Sequence, residues 1–332
     1  MDTLQIVLAS RPQEFPNLDN FKTERIVLPD VQEDEVLVEG LYYSVDPYMR
    51  GRMNDSKSYI SSYQIGEPII GGVVGKAIES KSDKIKPGDI VLGRLPWRTR
   101  TVASIKGLQK IEYTQFPLSY FLGVLGMPGL TAYFGLLDIG KPKAGQTVVV
   151  SGAAGAVGIV VGQIAVIQGC RVLGIVGSDK KAEHLKTEYG FDEAINYKTS
   201  PDLIQAVGQA CPRGVDIYFD NVGGEISDAV ISHLNFQARI AICGQISLYN
   251  SPGTPIGPRL QPQLLSRSAM AQGFIVSNYQ DRFGEGFQQL VRWVKEGKIK
   301  YPETIVKGFE QLPSALIGLF KGDNMGKMIV KI

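Results

Sequence analysis

The chain has 332 residues, 44% of them apolar and 20% charged, with a formal net charge of +2. This length outgrows a single hydrophobic core and predicts two domains. The balanced charge argues against nucleic acid as a partner, and charge or glycine interrupts each apolar run before it reaches the length of a membrane span, so no membrane segment is expected.

The opening residues, MDTLQIVLASRPQEF, lack a basic start and an uninterrupted apolar core, so no secretory signal is expected there. From residue 1 to about 117 short β segments alternate with turn residues. Strands are expected at 5–9, 24–28, 35–44, 72–79, 89–95 and 100–104, with Pro87-Gly88 marking a turn in KIKPGDIVLG. Such a run reads as a compact barrel or sandwich. Within it, YYSVDPYMRGRM (42–53) is rich in aromatics, Met and Arg for a connection. Each aromatic taken singly reads best as core, whereas together they would wall an apolar substrate cleft. Residues 121–137 read as helix broken at Pro128-Gly129, a domain junction.

A βα alternation follows. TVVV at 147–150 reads as a buried strand, a glycine-rich turn covers 152–158, an apolar helix ends near Gly169, and a second buried strand covers 171–176. In this βαβ unit, glycines at 152, 155 and 158 allow a tight turn, close approach of backbone N–H groups to a pyrophosphate, and tight helix–sheet packing. The helix N-terminus adds unpaired donors for phosphate. The spacing is GxxGxxG, with Ala154 where the usual fingerprint has its second glycine, and a turn that only connects strand to helix is the simpler alternative.

Further helices are expected at 178–189 and 201–210, and from Gly224 to about 234. Strands are expected at 193–196, 215–219, 239–243 and 274–276, with a Pro/Gly-rich loop at 250–262. About six strands alternating with helices make an α/β, doubly wound parallel sheet. After the helix FGEGFQQLVRWVKEGKI come a strand at 303–306, a helix at 313–320 and a strand at 327–331. This tail is expected to rejoin the first domain. Residues 1–124 and 300–332 then form a substrate domain around a nucleotide-binding domain at 125–299, with the active site in the cleft between them.

Chains that select NAD place an acid at the end of the second strand to bind the ribose 2′-hydroxyl. Here that place reads Gly177-Ser178-Asp179-Lys180-Lys181. Asp179 comes one step late and suits the first turn of the next helix. Ser178 and a lysine at 180 or 181 could receive a 2′-phosphate, with Tyr197 covering the same site; an ordinary solvated helix start is the alternative, and NADPH is the expected cofactor. Cys170, Cys211 and Cys243 are scattered and odd in number, which suits a reducing cytoplasm. His184 and His233 are the only histidines and no cysteine pair has a ligand spacing, so no metal is expected. His184, in EHLKTEYG, reads as a surface residue.

The motifs VDPYMR, MPGLTAYFGLL, GAAGAVG, GSDKK, NYKT, YFDNVGGE, RIAICGQIS and KGDNMGK occur in that order along essentially the whole chain. Together they resemble the zinc-independent medium-chain dehydrogenase/reductases, more closely the NADPH-dependent prostaglandin reductases and alkenal double-bond reductases. The resemblance implies a GroES-like β-barrel domain plus a Rossmann domain. It also implies reduction of the carbon–carbon double bond of an α,β-unsaturated carbonyl substrate, and commonly a homodimer. By the resemblance Gly155, Ala156, Val157 and Gly158 contact the pyrophosphate, with Ser178, Lys181 and Tyr197 around the 2′-phosphate. Asn221, the stretch 243–249 with Cys243, Gly244 and Tyr249, the stretch 274–280 with Phe274 and Val276, and Asn324 hold ribose and nicotinamide. Tyr48, Met127 and Tyr249 are the candidate substrate contacts. Two stretches depart from the relatives: Ser277-Asn278-Tyr279 is less aromatic and basic than in the mammalian enzymes, and residues 51–66 diverge, which bears on substrate rather than chemistry.

Conjugate reduction sends hydride to the β-carbon while negative charge builds on the carbonyl oxygen, and the protein's task is to orient the nicotinamide and to offer a donor to that oxygen. Tyr249 is the candidate donor, and packing over the nicotinamide is its alternative role. A quinone reductase or a non-catalytic NADPH-binding protein would share the fold and the absence of zinc ligands.

Overall fold

A computed structural model describes every residue except Thr114, Pro252 and Thr254, so two positions of the Pro/Gly-rich loop lie outside the described residues. The chain divides into two compact units. One comprises Met1–Leu122, Glu303–Asn324 and Met328–Ile332, the other Gly123–Pro302 with Met325–Lys327.

The first unit opens with β1 (Asp2–Leu8) and β2 (Phe21–Val27), an antiparallel pair. It continues through β3 (Glu35–Ser44), α1 (Tyr48–Arg52), β4 (Ile70–Ser80), β5 (Ile90–Pro96), β6 (Arg100–Ser104) and the short β7 (Leu108–Lys110). Ile6, Val38, Tyr43, Met49, Met53 and Trp97 fill the interior between the strands. The stretch 42–53 is therefore largely core. Its arginines are buried too, and they organise loops rather than bind a ligand. Arg50, 2% exposed, donates from Nη2 to the carbonyls of Glu14 at 2.8 Å and Pro12 at 3.3 Å, and from Nη1 to Asn54 Oδ1 at 2.6 Å. Arg52 donates from Nε to the Ser61 carbonyl at 2.9 Å and lies 3.9 Å over the Tyr63 ring.

The second unit begins with α2 (Met127–Phe134), which runs into a π-helical turn, Gly135–Gly140. Pro128 stands at the start of α2, where its missing N–H has no helical partner to lose, so it initiates this helix rather than breaking one. Then follow β8 (Thr147–Ser151), α3 (Gly158–Ile167), β9 (Arg171–Val176), α4 (Asp179–Glu188), β10 (Glu193–Asn196), α5 (Leu203–Ala210) and β11 (Val215–Asp220). Next come α6 (Gly224–Ile231), β12 (Leu234–Ile242), α7 (Leu260–Arg267), β13 (Met270–Gly273) and α8 (Phe283–Lys295). The chain returns to the first unit with β14 (Glu303–Lys307), α9 (Leu312–Lys321) and β15 (Lys327–Lys331). There β15 pairs antiparallel with β3, in a sheet ordered β14-β15-β3-β4-β5-β7 with β6 also on β3.

The sheet of the second unit is ordered β10-β9-β8-β11-β12-β13, and its paired strands run parallel. This is the doubly wound Rossmann order, with the switch point at β8. Every residue of β8 is buried, as its TVVV pattern predicts for a central strand. Two strands differ from expectation. β12 starts at Leu234 rather than 239, because a bulge with Gln237 at φ 61° and Phe236 exposed interrupts the apolar run that marks its second half. The final strand is Met270–Gly273, paired with 239–242, and Phe274, Ile275 and Val276 follow it. Their apolar character comes from packing beyond the strand's end. Among the described residues no helix is long and apolar enough to cross a membrane.

Candidate active site

Parallel sheets of this order bind ligands at the carboxyl ends of their strands. At the end of β8, Gly152 takes φ 59° and its carbonyl accepts the Gly155 N–H at 2.9 Å. A Cβ on Gly158 would stand 2.4 Å from the Gly152 oxygen and 2.8 Å from the Ala153 Cα, so only glycine lets α3 start this close to the turn. Among the described residues the N–H groups of Val157 and Gly158 find no backbone acceptor. Two donors at a helix N-terminus, with no side chain in front of Gly155 or Gly158, fit a pyrophosphate. The turn is braced from behind: Gly326 bridges to Gly155 and its N–H donates to the Ala154 carbonyl at 2.8 Å. That gives KGDNMGK a structural reason, and Asn324 lies two residues upstream, partly buried.

At the end of β9, the Ser178 hydroxyl caps α4 by accepting the Lys181 N–H at 3.3 Å. Asp179 accepts the Asn196 side-chain amide at 2.8 Å in the first turn of α4, so its carboxylate is tied to the end of β10. The Tyr197 ring, 39% exposed, approaches within 3.3 Å of where a Cβ on Gly177 would stand, and Lys198 Cε within 3.4 Å. Ser178, Lys181 and Tyr197 therefore gather around the β9 end. Lys198, which sequence reasoning passed over, joins them. The only sequence signal for it is its place in NYKT.

The ends of β11 and β12 are locked together by Asp220, also missed from sequence. It is 3% exposed and accepts five hydrogen bonds: from Ser151 Oγ at 3.0 Å, the Tyr218 hydroxyl at 2.8 Å, the backbone N–H groups of Val222 at 3.0 Å and Gly223 at 2.9 Å, and Ser227 Oγ at 2.8 Å. Its carbonyl takes the N–H groups of Cys243 and Gly244. Asn221 is fixed beside it, its amide donating to the Ser151 carbonyl at 2.8 Å. Burial pushes the Cys243 thiol up to about 12, with Asp220 adding to the effect. Burial likewise raises Cys170 and Cys211 to about 11. Half-buried Tyr249 turns back over this edge: its hydroxyl oxygen accepts the Gln245 N–H at 3.3 Å and lies 3.3 Å from the place of a Gly244 Cβ.

Beyond β13, Phe274 meets Phe219 edge-on at 6.2 Å, and partly buried Val276 opens the turn that follows. Met127 starts α2 with 39% of its surface exposed. Tyr48 belongs to the first unit, where burial, reinforced by Asp46, pushes its phenol well above the ordinary tyrosine range and keeps it neutral. Among the described residues no three His, Cys, Asp or Glu side chains gather as a metal site.

Residues 4–111 match a family described as the N-terminal domain of oxidoreductase, and residues 156–296 one described as zinc-binding dehydrogenase. A putative NADP-dependent oxidoreductase of Bacillus subtilis, YfmJ, is 55% identical over 330 residues, covering 99% of this chain and 97% of its own. The NADP(+)-dependent 2-alkenal reductase of Nicotiana tabacum is 40% identical, with 99% and 97% covered. The crystal structure of CurA from Vibrio vulnificus in complex with NADPH superposes with a TM-score of 0.95 at 43% identity, over 99% of this chain and 98% of that one.

Proposed function

Because the chain belongs to the medium-chain dehydrogenase/reductase family, in its branch of NADPH-dependent alkenal reductases, we infer that it reduces the carbon–carbon double bond of α,β-unsaturated aldehydes and ketones, with hydride delivered to the β-carbon. It is an NADP-dependent oxidoreductase acting on CH–CH groups. NADPH, when bound, supplies the hydride. Ala156, Val157 and Gly158 would hold its pyrophosphate, and Ser178, Lys181, Tyr197 and Lys198 its 2′-phosphate.

The observation that carries the reading is the placement of the Tyr249 hydroxyl. Its oxygen accepts the Gln245 N–H, which polarises the hydroxyl for donation. From the β12 end, that hydroxyl would donate to the carbonyl oxygen as it becomes negative. Met127, on the same unit, is assigned to the substrate's apolar part. Zinc has no part in this reading: the sequence offers 2 histidines and no cysteine pair at a ligand spacing. NADPH oxidation with a panel of enals, enones and quinones tests it: turnover of enals and enones is expected, undiminished by chelator. Turnover of quinones alone would assign a quinone reductase instead, and NADPH binding without turnover a non-catalytic protein.

Cofactor choice gives a second expectation. A hydrogen bond to a charged group contributes roughly 1.5–3 kcal/mol. At about 1.4 kcal/mol per decade, Lys181→Ala should weaken NADPH at least about tenfold and leave NADH nearly unaffected. Fluorescence titration of both cofactors reads this directly, and equal weakening of the two would make Lys181 a structural residue.

A further inference from the structure

The segment Val276–Arg282 between β13 and α8 is 3-10 helix kinked at Tyr279, and Ser277 and Asn278 are exposed. Side chains tie it to the rest of the unit. Tyr279 stacks on Phe134 of α2 with ring centres 4.7 Å apart and planes 8° from parallel. Phe274 lies edge-on to Tyr279 at 6.5 Å and fills the place of a Cβ on Gly135, which would stand 2.4 Å from its ring.

Arg282 closes the arrangement. Its Nε and Nη2 donate to the two carboxylate oxygens of Glu285, each at 2.9 Å, while Nη1 and Nη2 reach both oxygens of Asp138. Glu285 also accepts the Tyr133 hydroxyl at 3.0 Å, and the guanidinium lies 5.1 Å from the Phe134 ring centre. Asp138 sits in the π-helical turn Gly135–Gly140 that continues α2. An isolated exposed ion pair contributes little. A planar guanidinium forked onto one carboxylate, shared with a second and set against an aromatic ring, is a geometry that lysine cannot reproduce.

We propose that Arg282 is a positioning residue for the cofactor: by joining Asp138 to Glu285 it holds Phe274 and Val276 where they meet the nicotinamide side of NADPH. This rests on the assignment of 274–276 to the cofactor made above. Two measurements on Arg282→Ala and Arg282→Lys test it: amide hydrogen exchange of the cofactor-free protein over 274–282, and NADPH affinity by fluorescence titration. Arg282→Ala should speed exchange in that stretch about tenfold and weaken NADPH about tenfold, with KM for the enone unchanged, because the lost contacts are cooperative and local. Arg282→Lys should recover only part of both. Unchanged exchange in Arg282→Ala overturns the proposal, as does faster exchange with unchanged NADPH affinity. Phe274→Ala separates the causes. If it weakens NADPH where Arg282→Ala does not, only the role of Arg282 falls; if neither weakens NADPH, the assignment of 274–276 falls as well.

Discussion

Tyr249→Phe should slow enone reduction tenfold to a thousandfold, roughly the range set by loss of an oxyanion donor. The substitution keeps the ring, so the β12 edge and the packing around Gly244 stay in place. It removes the oxygen that accepts the Gln245 N–H and, with it, the proton that the proposed mechanism offers to the substrate. Because the charge on the substrate oxygen exists mainly in the transition state, kcat should fall much more than KM rises. NADPH affinity should barely move, since the residues proposed for the 2′-phosphate and the pyrophosphate lie at the ends of β9 and β8. Steady-state kinetics with a saturating enone, together with a cofactor titration, settle the point. Full turnover would reduce Tyr249 to a packing residue and leave a ribose hydroxyl or water as the donor.

Asp220→Ala should cost stability rather than rate alone, by about 3–5 kcal/mol, the range of a broken buried polar network. Five donors converge on this carboxylate, and truncation leaves them without their acceptor. Each unsatisfied buried group costs about 1–3 kcal/mol, although the hydroxyls of Ser151 and Ser227 can rotate to new partners, so the sum stays below five full penalties. Asp220→Asn keeps one oxygen for four of the donors and turns only an amide toward Ser227, whose hydroxyl can accept. Its loss should be about 1–2 kcal/mol. The urea midpoint read at constant m measures both. If Asp220→Ala proved as stable as Asp220→Asn, the carboxylate would not be what holds the ends of β8, β11 and β12 in register.

The same contrast between local and distant causes governs what could be read from the amino-acid sequence. β8, the turn at 152–158 and β9 were legible because buried parallel strands and glycine turns are written in adjacent residues. β13 was placed late because an edge strand, MAQG, carries little β signal, while the apolar Phe274 to Val276 owe their character to Phe219 and Gly135 far away in the chain. Pro128 read as a break because proline starts and stops helices with the same local signature. Asp220 and Ser151 stand 69 residues apart, and Arg282 and Asp138 stand 144 apart, so no pattern within one stretch could have joined them. Lys198 was hidden by the two lysines at 180 and 181, which offered a sufficient account of the phosphate without it.

The proposed substrates are electrophiles, and for them the state of the thiols matters. An enal or enone adds to thiolates, not to thiols, and an ordinary cysteine is a few per cent thiolate at neutral pH. Cys170 and Cys211 sit at about 11 and Cys243, at the very edge where substrate would arrive, at about 12. At neutral pH that holds Cys243 as the thiol. Burial and the neighbouring carboxylates of Asp216 and Asp220 thus hold all three cysteines as thiols, so a reactive alkene meets no ready thiolate among them.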